Sequence, residues 1–191
     1  MSAGTSGVRW LVDPLDGTVN YLYGIPHWSV SICAVERGSA LAAVVYDPVR
    51  DECFTAGPGR GARCGDIPLQ ASGETELGRV LLTTGFSYVA AERAVQARQQ
   101  AALIARIRDL RRLGSAALDL AWVAAGRLDA YMETFANPWD WAAGTLLVRE
   151  AGGRVSDIPG VREGTPGILA SGPDVHDALL ALARAGAPEP S

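Results

Sequence analysis

Two carboxylates three residues apart, Asp13 and Asp16, lie in the hexapeptide Asp13-Pro14-Leu15-Asp16-Gly17-Thr18, directly after the apolar run Val8-Arg9-Trp10-Leu11-Val12. A carboxylate following a buried strand is costly unless it is hydrated, hydrogen-bonded or bound to metal. Two close together repel each other and favour a shared cation, and oxygen ligands of this kind suit a hard divalent ion. Gly17 allows backbone to approach a ligand closely, and Gly17-Thr18 opens a helical turn whose free amides suit a phosphate. The combination points to metal-assisted phosphate chemistry. The same residues also fit an Asp-Pro turn followed by a helix cap, and taken alone they leave both readings open.

Three further groups are candidates. Asp140, between Trp139 and Trp141, opens a helix; it is either a ligand or a first-turn acid complementing the helix dipole. Glu133 ends the apolar strand Tyr131-Met132-Glu133 and is either functional or an edge or surface acid. Gly114-Ser115-Ala116-Ala117 opens another helix with free amides and small side chains, which suits a polar ligand and equally suits an ordinary cap. His27 and His176 have no partner at metal-ligand spacing and read as structural or surface residues. No nucleophile elbow, dinucleotide fingerprint or P-loop is present.

The elements that must position these residues follow from hydrophobic periodicity. Strands are expected at 8–12, Ser29 to Val35, Leu41 to Tyr46, Glu52 to Thr55, Arg79 to Thr83, Leu128 to Glu133, 154–156 and Gly167 to Ala170. Residues 13–27 read as a loop with a short helical turn. Helices are expected over Val89 to Leu110, with Val95, Leu103, Ile107 and Leu110 as a core stripe, and over Ser115 to Ala125, Trp139 to Ala151 and Val175 to Ala185. Strands and helices mix without strict alternation, which predicts a layered α/β or α+β fold.

Composition narrows the function classes. Apolar residues form 48% of the 191-residue chain, enough for a sizeable core in one domain over 1–191. A net charge of −4 and no basic tract disfavour nucleic acid or an anionic membrane as the main partner. No apolar run is long enough to span a bilayer, and no secretory signal is visible. Cys33, Cys53 and Cys64, odd in number and without metal-ligand spacing, read as reduced thiols of a cytoplasmic protein.

Two long motifs in this order resemble the inositol monophosphatase family of Mg-dependent, lithium-sensitive sugar-phosphate phosphatases. The first is Trp10-Leu-Val-Asp13-Pro-Leu-Asp16-Gly-Thr18-Val-Asn20-Tyr, followed by Gly24-Ile-Pro; the second is Trp139-Asp140-Trp-Ala-Ala-Gly144-Thr-Leu-Leu-Val-Arg-Glu-Ala151-Gly-Gly. Gly114-Ser-Ala-Ala-Leu and Gly126-Arg-Leu-Asp-Ala-Tyr-Met-Glu133 lie between them. The resemblance implies a sugar-phosphatase-like fold and Mg²⁺-dependent hydrolysis of a small phosphate monoester, most simply inositol monophosphate. Histidinol phosphate and fructose 1,6-bisphosphate are alternative substrates within it. It implies that Asp13 bridges two Mg²⁺ ions, that Asp16 and Asp140 complete the second site, and that the Leu15 carbonyl reaches the first. It further implies that the Gly17 and Thr18 amides hold phosphate and that the Thr18 hydroxyl orients water. Gly114, Ser115, Ala116 and Glu133 would line the substrate. A homodimer and a small phosphorylated polyol are the implied partners.

The chain departs from the family pattern at its start. The family carries helices, a hairpin and a Gly-Glu-Glu-type segment before the first motif, and here no acidic residue precedes Asp13. The first metal site is therefore expected to lack a carboxylate. Three readings follow: a fragment, a natural short form that binds metal or partners with impaired catalysis, or a site completed by another chain. Apolar sheet surface is expected to be exposed in consequence.

Overall fold

Alternating residue types along the first third of the chain build an antiparallel meander. In the computed structural model, which describes residues 5–134, 137–162 and 164–185, this meander comprises β1 (Val8–Asp16), β2 (Ser29–Glu36), β3 (Ser39–Asp47), β4 (Glu52–Ala56), β5 (Ala62–Cys64) and β6 (Ile67–Pro68) in spatial order. Helix α1 (Thr18–Leu22) interrupts it between β1 and β2. Side chains alternate across a strand, so Cys33 and Val35, then Ala43 and Val45, then Phe54 and Ala56 point to one face and are buried there. The other face is also apolar: the register aligns Val12 with Ile32, Ile32 with Val44 and Val44 with Thr55. That face is not covered, with Trp10 64% and Val12 46% exposed.

The rest of the chain forms a second sheet and two helical layers. Strands β7 (Leu81–Thr84), β8 (Asp109–Arg111), β9 (Ala130–Glu133), β10 (Arg154–Arg162) and β11 (Thr165–Ser171) assemble in the order β10-β11-β9-β7-β8. β9 and β8 run parallel to β7, and the remaining pairs are antiparallel. Helices α3 (Ala116–Ala124) and α4 (Pro138–Glu150) lie between the sheets and share one core with Val45, Phe54, Tyr131 and Ala170. Helices α2 (Ala90–Ile104) and α5 (His176–Ala185) cover the far face of the second sheet, where Leu82, Leu103, Met132, Leu169 and Leu179 pack together. The order of layers is sheet, helices, sheet, helices, as the α/β layered expectation requires. Gly144 permits this closeness: a Cβ there would lie 2.4 Å from the Leu120 side chain on α3.

Several expected boundaries are corrected. The first strand does not stop at 12 but runs to Asp16, so both candidate aspartates sit on it. The helix expected over Val89 to Leu110 ends at Ile104, and Asp109–Arg111 instead pairs in parallel with β7. Its buried face is not the expected apolar stripe but Gln96, Gln99, Gln100 and Leu103, with Ile107 buried beyond the helix end. Strands β5 and β6 were not expected, and β10 is longer than 154–156. All three cysteines are free thiols. No helix among the described residues is long and apolar enough to cross a membrane.

Candidate active site

A backbone irregularity creates the acidic corner. Residues three apart on a regular strand face opposite sides. The β1–β2 register shifts between Asp13 and Asp16, so three steps on β1 match two on β2 (Asp13 opposite Ser31, Asp16 opposite Ser29). This bulge turns both carboxylates inward. Asp13 Oδ1 accepts the Leu15 amide at 3.0 Å, and the Thr18 hydroxyl donates to the Leu15 carbonyl at 2.9 Å.

Asp16 is tied to a helix distant in sequence. Its Oδ2 accepts the Ser115 hydroxyl at 2.6 Å and the Ala117 amide at 2.8 Å, satisfying a free donor in the first turn of α3. Burial raises its pKa to about 7; these two hydrogen bonds oppose the rise, and the charges of Asp13 and Asp140 add to it. Gly17 adopts φ +87°, and a Cβ there would lie 3.1 Å from the His27 carbonyl and 3.2 Å from the Gly114 carbonyl. Asn20 locks the same junction by donating to the carbonyls of His27 (2.6 Å) and Leu113 (2.7 Å).

Asp140 enters from α4, and its two sequence-level readings turn out to be compatible. Its Oδ2 accepts from the Asn137 amide at 2.7 Å and the Asn137 side chain at 3.1 Å, closing a capping box ahead of Pro138. The same carboxyl also faces Asp13 across the cleft, within hydrogen-bonding reach. Burial raises the Asp140 pKa, the Asn137 contacts lower it, and the facing Asp13 raises it further. Ser31 on β2 donates to the Trp139 carbonyl at 3.2 Å, fixing the start of α4 against the first sheet.

Glu133 corrects the edge-acid reading, because it ends β9, the central strand of the second sheet. Its Oε2 accepts the Tyr131 hydroxyl at 2.6 Å. Burial raises its pKa to about 7, with the Tyr131 bond opposing the rise. Gly85 lies flat against it: a Cβ there would meet the carboxylate.

One cleft collects every residue that the family resemblance assigned to metal, phosphate or substrate: Asp13, Leu15, Asp16, Gly17, Thr18, Gly114, Ser115, Ala116, Glu133 and Asp140. It also contains residues that sequence reasoning missed, notably Asp119, Arg112, Asn137 and the segment from Thr84 to Tyr88. Asp119 is buried in α3, accepting from Thr83 at 2.8 Å and pairing with His27 Nε2 at 3.1 Å. Its only signal was an acid on the inner side of an otherwise apolar helix. His27 is structural, as expected, and so is buried His176, bonded to Ser156 and Ser171 at 2.8 Å each.

The donors suit a hard cation. Asp13, Asp16 and Asp140 supply only oxygen; the charges of Asp13 and Asp140 raise the pKa of Asp16, and that of Asp13 raises the pKa of Asp140, so a positive ion would relieve their repulsion. Among the described residues no three acidic, histidine or cysteine side chains enclose a point by themselves. Carbonyl oxygen and water would have to complete the shell, which is the usual habit of Mg²⁺.

A family model described as inositol monophosphatase family matches residues 1–187. The Nus factor SuhB of Xylella fastidiosa is 49% identical over 158 residues, 82% of this chain and 58% of that protein. The chain thus spans less than two thirds of that relative. The structure of Mycobacterium tuberculosis SuhB superposes with a TM-score of 0.87 at 43% identity, covering 94% of this chain and 73% of that one. Inositol monophosphatase from Anabaena (Nostoc) gives a TM-score of 0.85 at 37% identity, covering 98% and 75% respectively.

Proposed function

The chain belongs to the inositol monophosphatase family, and from that premise we propose that it hydrolyses a small phosphorylated polyol, with inositol monophosphate as the simplest substrate, using Mg²⁺. One observation carries the reading: Asp13 and Asp16 from β1 and Asp140 from α4 line the same cleft, beside the Gly17-Thr18 turn. Asp13, Asp16, Asp140 and the Leu15 carbonyl would hold the metal. When bound, Mg²⁺ supplies charge neutralisation for the phosphate, a lower pKa for its water and stabilisation of the leaving alkoxide.

The chain's own groups do the remaining work. The Gly17 and Thr18 amides receive phosphate oxygens. The Thr18 hydroxyl, bonded to Leu15, orients the attacking water once that bond is exchanged. Ser115 and the Ala117 amide hold Asp16 in place. Glu133, fixed by Tyr131, accepts hydroxyl hydrogen bonds from the polyol, with Gly114, Ser115 and Ala116 as the close-packed wall. Water adds to phosphorus as the ester P–O bond breaks; its oxygen stays on the phosphate with one proton, and its other proton passes to the departing alkoxide, which leaves as the alcohol.

Phosphate release from inositol 1-phosphate with Mg²⁺ tests this. Loss of a metal-bound carboxylate removes several kcal/mol of transition-state stabilisation, so Asp13→Asn should lower turnover by about a hundredfold or more. Turnover equal to wild type would refute the assignment. A second reading, in which the chain binds phosphorylated ligands or partners without turnover, is favoured by the name Nus factor carried by the curated relative. Under it, wild type binds the phosphate ester with a metal and releases no phosphate.

A further inference from the structure

Helix α1 is a single short turn, and Gly17 at its start has no side chain to cap it. A helix of that length does not hold itself in place. Between Thr18 and His27 only Asn20 and His27 are buried, while Tyr21, Leu22, Tyr23 and Ile25 stand exposed. The segment that presents the Gly17 and Thr18 amides is therefore held from two buried points. Asn20 grips backbone, donating to the Leu113 and His27 carbonyls. His27 uses its ring, whose Nε2 pairs with Asp119 Oδ1 at 3.1 Å.

His27 meets the phosphate turn through its own backbone. Its carbonyl takes the Asn20 bond at 2.6 Å, and a Cβ on Gly17 would stand 3.1 Å from that oxygen and 3.2 Å from the Trp28 Cα. The turn rests directly on residue 27 and cannot keep its place if that residue shifts. The other end of the link is just as fixed. Asp119 is buried in α3, and its second oxygen accepts the Thr83 hydroxyl at 2.8 Å. The His27 ring also packs edge-on to Trp122, further along α3, with centroids 5.0 Å apart. The start of α3 holds Asp16 through Ser115 and Ala117. One helix thus grips an acidic member of the cleft directly and the Gly17-Thr18 turn through His27.

We propose that His27 is a positioning residue: its bond to Asp119 sets the Gly17 and Thr18 amides in register with Asp16, so that phosphate is received at a fixed place beside the metal. The inference rests on the phosphatase reading of the cleft and adds to it a residue that acts only through its neighbours.

Two probes separate the halves of the site. Inorganic phosphate, titrated calorimetrically with Mg²⁺ present, reports on the turn; Mn²⁺, followed by electron paramagnetic resonance without phosphate, reports on the acidic corner. His27→Phe keeps a ring beside Trp122 and removes the donor. His27→Gln returns an N–H at similar reach. Asp119→Asn weakens the same bond from the other side. Misplacing a binding group by about 1 Å costs on the order of 100-fold, so His27→Phe should bind phosphate about tenfold or more weakly and lose kcat/KM in proportion, with Mn²⁺ affinity unchanged within about twofold. His27→Gln should recover most of the loss. Asp119→Asn should fall between the two, and it carries the test if His27→Phe does not fold. Undiminished phosphate binding in the donor-deleted or Asp119→Asn protein would overturn the inference. So would Mn²⁺ binding that falls in step with phosphate binding, which would make His27 a general prop of the fold. A His27→Gln protein as weak as His27→Phe would place the effect in the ring rather than the bond, and overturns it too. Wild type that takes up Mn²⁺ but no phosphate would instead overturn the phosphatase reading, and the inference with it.

Discussion

The two sheets flank the same pair of helices yet live in different surroundings. The five-stranded sheet is covered on both faces, by α3 and α4 on one side and by α2 and α5 on the other. The six-stranded sheet packs Val45 and Phe54 against α3 and α4 but leaves Trp10 and Val12 exposed on its outer face. The chemistry lies at the seam between them. β1 brings Asp13 and Asp16 from the half-covered sheet, β9 brings Glu133 from the covered one, and the intervening helices contribute Ser115 and Asp140. The seam is where polar groups are buried yet meet a cleft, and burial there raises the pKa values of Asp16 and Glu133.

The contrast between inner and outer faces of the first sheet is tested most severely at Phe54. This ring, on β4, is fully buried on the inner face of the first sheet. Phe54→Ala should cost about 3–5 kcal/mol in urea denaturation, by lost transfer energy and a residual cavity. A loss below about 1 kcal/mol would mean that the inner face is not the core.

The seam should respond to pH. The pKa of Asp16 rises from 3.8 and that of Glu133 from 4.5, each to about 7 in the folded chain. Between those values the folded state holds more protons than the unfolded one. Their contribution is therefore complete below about pH 4 and lost as pH rises through about 7. Metal-free chain should thus lose stability from pH 5 to 8, and Mg²⁺ at pH 8 should restore it. His176, whose pKa burial lowers, acts in the opposite sense over the same range. The diagnostic quantity is therefore the difference between wild type and Asp16→Asn, which should show a flatter profile. Parallel profiles would contradict the assignment.

The smallest effect belongs to the outer face. Trp10→Ser should change stability by no more than about 0.5 kcal/mol, because the ring is largely solvated already. It should nonetheless reduce hydrophobic-dye binding and concentration-dependent association in sedimentation, because it removes much of a contiguous apolar patch. A large destabilisation would show that this face is covered after all.

Much of this organisation was legible in the sequence wherever local chemistry dictates structure. Pro138 and the paired glycines 152–153 bracket α4, and Gly126 marks the end of α3. The Asp13-to-Thr18 segment announced the acidic corner. What stayed hidden depends on distant partners. Asp109–Arg111 continues a helical composition and becomes a strand only through pairing with β7. The polar inner face of α2 exists because Gln96 and Gln100 bond Ser87, Thr134 and Thr84 from other elements. Arg112 looked like one more charge among several, since its position over Gly114 is a tertiary fact. The β1 bulge likewise appears only in the register with β2.

Cation binding tests the central claim most directly, because it does not depend on knowing the substrate. Mn²⁺, which shares the preference of Mg²⁺ for oxygen ligands, can be counted by electron paramagnetic resonance as it titrates into wild type, Asp13→Asn and Asp140→Asn at pH 7.5. The account predicts at least one specifically bound ion in wild type, displaced by Mg²⁺ and weakened about tenfold or more in each variant. Equal binding by all three proteins, or none by wild type, would contradict it.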